Sequence, residues 1–187
     1  MWKRLKAMWG RRQKVREEER LLRWKEAWRP STWARLLDYG YEAVPHRAIK
    51  PHTAAIILPK FKRVYIHPLL TYRQRRLVTA MAIAALARLD GKGGLTKPYL
   101  MRIKDLAFPE GPEDNVQWTD WINALEYLAP MTYVDYLKQH YPEHAQAYLV
   151  RVFDLDPVAA THRLTEHRMW QERKHSTLFH PTPFEMD

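Results

Sequence analysis

The chain opens with tryptophans and leucines at helical spacing. Trp2, Leu5 and Trp9, then Leu21, Trp24 and Trp28, recur three or four residues apart, which predicts one amphipathic helix over residues 2–29. Glu17, Glu18 and Glu19 stand within reach of Lys14, Arg20 and Arg23 for local ion pairs, and Pro30 stops the helix. Ser31 or Thr32 can cap a second helix through Tyr39, with Gly40 as its left-handed terminator. The pattern then shortens. Tyr41 to Val44, Ala55 to Leu58 and Arg63 to His67 are β-branched or aromatic runs bounded by Pro45, Pro51, Pro59 and Pro68, and they read as a small antiparallel sheet.

Thr71 is placed to cap a long helix from Tyr72 to Leu89. Its middle, Ala80 to Ala87, is apolar on every side, the mark of a buried helix. Asp90-Gly91-Lys92-Gly93-Gly94 ends it; this glycine cluster follows a helix and lacks phosphate-loop spacing, so it reads as a turn. A short helix is expected over residues 96–107, then a loop with Glu110, Glu113 and Asp114. Helices follow over Val116 to Leu128, Thr132 to His140, Glu143 to Phe153 and Pro157 to Lys174, with an irregular tail from His175. The predicted organisation is a basic helix over 1–30, a core over 31–141, a helix pair over 142–174 and a tail over 175–187.

Composition narrows the classes. The 187 residues contain no cysteine, which excludes disulfides, thiolate metal sites and a cysteine nucleophile. The longest apolar run, Leu77 to Ala87, is eleven residues, against the roughly 20 needed to cross a bilayer. No apolar stretch follows the basic start in the manner of a secretory signal, and a cytoplasmic protein is expected. The net charge of +10 is concentrated: residues 1–30 hold eleven Lys/Arg and four Glu. Such a focus attracts polyanions, nucleic acid foremost, with an anionic membrane or an acidic protein face as alternatives. A solvated helix that keeps the protein soluble is the plainer reading.

Four segments in order resemble the ImmA/IrrE family of zinc-metallopeptidase-like proteins of phages, mobile elements and stress regulons. Val64-Tyr65-Ile66-His67-Pro68, followed by Thr71, Arg75, Arg76 and Leu77, resembles that family's strand and its lead into the active-site helix. Leu77 to Leu86 lies where the family has F-T-x-A-H-E-x-G-H-x. Ala124, Leu125, Glu126, Leu128 and Pro130 resemble its F-A-A-E-L-L-M-P segment, and Leu149 to Leu164 resembles its closing helix pair. The resemblance covers roughly residues 33–168. It implies an α+β, mostly helical, zincin-like core with a small sheet and a buried central helix.

The departure matters as much. A zincin needs two His one helical turn apart and a Glu beside the first as general base. The corresponding positions here are Met81, Ala85 and Ala82, and the family's third ligand falls near Thr119 or Asp120. Neither Met nor Ala can replace an imidazole, so the resemblance implies a pseudo-metallopeptidase with no metal and no cofactor. No other site takes its place. His140 and His144 are interrupted by Pro142, His162 and His167 point to different faces, and Ser31 and Ser176 are in no nucleophile turn.

Binding is what remains. In the closing pair, Phe153 ends one helix, Asp154 and Leu155 turn, Asp156 caps and Pro157 begins the next, a helix-turn-helix pattern. Ala160 and Leu164 are expected inward; Thr161, His162, Thr165 and Arg168 outward, where Thr161, His162 and Arg168 could contact DNA. The same helices could serve only as packing. In the N-terminal arm, Lys3, Arg4, Lys6, Arg11, Arg12, Lys14 and Arg16 could follow phosphates, and Trp2 and Trp9 could stack or dock on a partner. A helix lying on a membrane surface is a further reading of this arm. The sequence thus points to a non-catalytic regulator that binds DNA or the transcription machinery. The alternative is a protein-only adaptor on a repressor or polymerase subunit, and an enzyme with an unrecognised site ranks third.

Overall fold

The computed structural model describes residues 32–90, 93–107 and 116–175. The predicted N-terminal helix lies outside the described residues, as do the loop acids Glu110, Glu113 and Asp114 and the tail beyond His175. In chain order the described elements are α1 (Thr32–Asp38), β1 (Glu42–Pro45), β2 (Thr53–Leu58), a single 3-10 turn (Pro59–Phe61), β3 (Arg63–Ile66), α2 (Tyr72–Asp90), β4 (Tyr99–Arg102), α3 (Lys104–Ala107), α4 (Val116–Leu128), α5 (Met131–His140), α6 (Ala145–Arg151) and α7 (Pro157–His175). The protein is α+β and mostly helical.

Gly40, at φ +73°, closes α1 in the left-handed conformation that a side chain would disfavour. The four strands run in the order β1-β3-β2-β4. The expected all-antiparallel sheet is corrected in two respects. β1 pairs parallel to β3, Ala43 against Val64, because the connection after Pro45 carries β2 one place beyond β1 and β3 returns into the gap. A fourth strand also stands where a helix was expected over residues 96–107: β4 pairs antiparallel to β2, and only Lys104–Ala107 is helical. Pro98 blocks a helix there, and Tyr99 to Arg102 alternate, with Met101 buried and Leu100 and Arg102 exposed.

Alternation gives the sheet two distinct faces. Ala43, Ala55, Ile57, Val64, Ile66 and Met101 are buried on the inner face. Against it lies α2, with every residue from Arg76 to Leu86 buried. The cap at its start is reciprocal: Gln74 N–H donates to Thr71 Oγ1 (3.3 Å) and Thr71 N–H donates to Gln74 Oε1 (3.0 Å), satisfying two amides that a helix start leaves without partners. A helix buried all round needs neighbours on every side, and α1, α4 and the sheet supply them. One apolar cluster runs from Leu36 through Trp121 to Ala160, so α5, α6 and α7 share the core of the sheet and α2. No helix among the described residues is long and apolar enough to cross a membrane.

Candidate nucleic-acid interface

The positions matched to the peptidase site lie inside this core. Met81, Ala82 and Ala85 are each 0% exposed, so water and substrate have no access to them. Asp120, near the position of the third ligand, is equally buried and fully engaged. Arg88 donates to its two carboxylate oxygens from Nε (2.9 Å) and Nη2 (3.0 Å), and Tyr99 O–H donates to Oδ2 (2.6 Å). Burial, and then the hydrogen bond to Asp120, push the Tyr99 hydroxyl far above its ordinary range, so it stays a donor. This triad ties α2, α4 and β4 together. Among the described residues, no three His, Asp or Glu side chains gather as a metal site.

The helix pair forms as its capping residues require. Asp156 Oδ1 accepts from Val158 N–H (3.0 Å), and Pro157 takes the first helical position of α7. Asp154 occupies the turn at φ +52°, a left-handed conformation unusual for a residue with a side chain. Arg76 of α2 holds it there: Nη1 donates to Phe153 O (2.6 Å) and lies 3.6 Å from Asp154 Oδ2.

On α7, Ala160 is buried and Leu164 packs against the core, as expected, while Thr161, Thr165 and Arg168 are exposed. The Thr161 hydroxyl donates to Pro157 O (3.0 Å) and accepts from Gln146 Nε2 (2.8 Å), so it is held to its own helix pair. His162 is a correction. It is half-buried, edge-on to Trp121 with ring centroids 5.2 Å apart, because it stands three residues past buried Ala159, on the flank of the inward face. Burial holds its pKa below the ordinary value, with Glu166 opposing in part.

The inward face carries polar residues that helical patterning missed. Arg163 is 0% exposed; it donates to Ala129 O (2.8 Å) just past the end of α4 and pairs with Glu166 and Glu126. A cation there also complements the negative end of the helix dipole. One turn on, His167 Nε2 lies 2.9 Å from Asp135 Oδ1, which also accepts from Gln171. The hydrogen bond with His167 holds the Asp135 carboxyl below its usual range.

Lys3, Arg4, Lys6, Arg11, Arg12, Lys14, Arg16, Trp2 and Trp9 lie outside the described residues. The described residues present a surface that the sequence alone does not reveal. The outer face of the sheet carries Val44, Ile56, Leu58, Tyr65 and Leu100, partly or largely exposed. A groove of about 490 Å³ runs over it, walled by the connection between β1 and β2 through His46, Ile49, Lys50 and His52. A second hollow of about 640 Å³ shares His52 and Leu100 with it and adds Arg102 and Lys104. Over residues 42–66 and 97–104 the chain carries eight Lys and Arg against one carboxylate, Glu42, with Asp105 the next acid along. The signal was present as charge, but its parts are separated in sequence and meet only through strand pairing.

No family model matches this sequence, and neither a curated protein nor a solved structure matches it.

Proposed function

We propose that this is a non-catalytic regulatory protein, built on an ImmA/IrrE-like scaffold that has lost its zinc site, which acts in the cytoplasm by binding nucleic acid. The transcription apparatus of a phage or mobile element is the setting the resemblance suggests. The observation that carries the binding is the charge. Eight cations face one carboxylate on the sheet strands and their connections, and an N-terminal arm of eleven Lys/Arg and four Glu adds to them. Cations concentrated in this way displace counterions from a phosphate backbone, and that release drives sequence-independent affinity. The loss of catalysis is supported by side chains with 0% exposure at Met81, Ala82 and Ala85, and by Asp120 already engaged with Arg88 and Tyr99.

A second reading, a protein-only adaptor, has one observation in its favour. On α7, Val158 and Met169 are 44% and 46% exposed beside the neutral Thr165, a face suited to a protein partner more than to phosphate. Binding of labelled duplex and single-stranded DNA across a salt series separates the two. Affinity falling linearly on a log–log plot is expected for the first reading. Absence of binding to either form at low salt removes it and leaves the adaptor.

A further inference from the structure

We propose that the outer face of the sheet is a binding site for single-stranded nucleic acid, with a base against Tyr65 in the groove and its phosphates at the cationic rim. The inference rests on the nucleic-acid reading above and names the site and the form of nucleic acid that fits it.

Strand pairing builds the floor. Ile56 stands opposite Tyr65 on β3 and opposite Leu100 on β4, and Val44 flanks Tyr65 from β1. The result is a band of apolar side chains with one aromatic ring in it. His46 fixes the ring edge-on, with centroids 4.9 Å apart at 83°. An apolar surface with an aromatic ring in it suits the face of a base, since every base has a π-face and stacking is tolerant of sequence. The groove volume, about 490 Å³, is that of a site for one nucleotide-sized group. Lys50 lies in its wall, and Arg102 and Lys104 line the adjoining hollow. A base on the floor therefore leaves its flanking phosphates beside cations.

A duplex does not suit this surface. Its bases are stacked on each other and present only edges, whereas a single strand can turn a base onto the ring. Charge decides against the other occupants. An apolar protein helix gains nothing from the cationic rim, and residues 1–30 of this chain, rich in Lys and Arg, carry the same sign as the rim.

The test uses the full chain and a fluorescent oligothymidylate, with a duplex of the same length as comparison. Tyr65→Leu keeps an apolar side chain on the strand and removes the ring; affinity for the single strand should fall about tenfold while duplex affinity holds. Tyr65→Phe should bind as the parent does. Lys50→Ala, at an exposed position where folding is not at stake, should flatten the single-strand salt slope by about 0.7. The proposal is overturned if folded Tyr65→Leu, judged by its melting, binds oligothymidylate like the parent. It is overturned equally if polyglutamate competes as well as the oligonucleotide, which reduces the surface to charge. Competition by free thymidine monophosphate at matched nucleotide concentration assigns the groove to a small nucleotide and also overturns it. A parent protein that binds neither form of DNA fails the general reading, whereas binding that ignores Tyr65 and Lys50 fails this inference alone.

Discussion

Arg76 donates through Nη1 to the carbonyl of Phe153 at 2.6 Å, joining residues 77 apart in sequence. The same guanidinium lies 3.6 Å from Asp154, whose backbone is left-handed. The central helix thereby holds the turn between α6 and α7 in its conformation. Hydrogen bonds made by charged, buried groups are worth about 1.5–3 kcal/mol each. Arg76→Met should lower unfolding stability by about 2–4 kcal/mol, measured by denaturant titration. Adding Asp154→Gly should recover about 1 kcal/mol, since glycine takes a positive φ freely. A double variant no more stable than Arg76→Met would mean that the turn is held by other interactions.

Ala82, which the proposed reading sets where a zinc peptidase would carry its general base, is 0% exposed. Ala82→Glu would place a carboxylate in an apolar interior, where it must stay protonated or destabilise the fold by several kcal/mol. The expected outcome is a large drop in melting temperature that is greater at neutral than at acid pH. A variant melting with the parent would show the position open to water, as a working peptidase site must be.

The metal content follows from the same positions. If, as proposed, Met81, Ala82 and Ala85 stand where a peptidase would have its ligands and base, the purified chain is expected to hold no stoichiometric zinc, and thermal stability should not change on chelation. One tightly held zinc per chain by elemental analysis would overturn the pseudo-peptidase reading.

His162 gives the pH dependence a definite sign. Burial beside Trp121 favours the neutral imidazole and holds its pKa below the ordinary value of about 6.5. An unfolded chain, whose histidine keeps the ordinary value, takes up the proton first as pH falls. Stability from this group is therefore highest above about pH 6.5 and declines below it. NMR titration of His162 should give a midpoint under 6.5, and His162→Gln should remove part of the acid-side decline. A midpoint above 6.5 would contradict the half-buried placement.

Elements governed by local rules were legible in the sequence. The run Ala80 to Ala87 announces a buried helix, which holds as far as Leu86 while Ala87 is exposed; Thr71 announces its cap, and Gly40 and Pro157 mark a stop and a start that the backbone bears out. Where distant residues decide, patterning said less. Pro98 argues against a helix, but Tyr99 to Arg102 become a strand by pairing with β2, and β1 runs parallel to β3 through a register that no local signal encodes. An arginine reads as surface, yet Arg163 is buried because Glu126 and the Ala129 carbonyl, 37 and 34 residues away, are arranged to receive it. The groove was hidden for the same reason: its wall, ring and cations come from separate segments.

The arm and α7 should make separable contributions to the proposed binding. Residues 1–30 hold eleven Lys/Arg against four Glu, and Pro30 marks a natural point of truncation. Every phosphate that the protein ceases to neutralise should take roughly 0.9 off the log–log salt slope on duplex DNA, so deleting the arm should lower affinity by orders of magnitude and flatten that slope. Replacing Thr161 and Arg168, both exposed on α7, should instead alter sequence preference more than overall affinity, as base recognition does. His162 belongs apart from them: with its ring against Trp121, His162→Ala should cost stability before it changes recognition. Competition binding with a randomised duplex pool across a salt series, for parent, truncated and Thr161/Arg168 variants, reads both binding effects, and a melting curve reads the effect of His162→Ala. An arm-deleted protein with unchanged slope would show that the duplex phosphates are neutralised by cations outside residues 1–30.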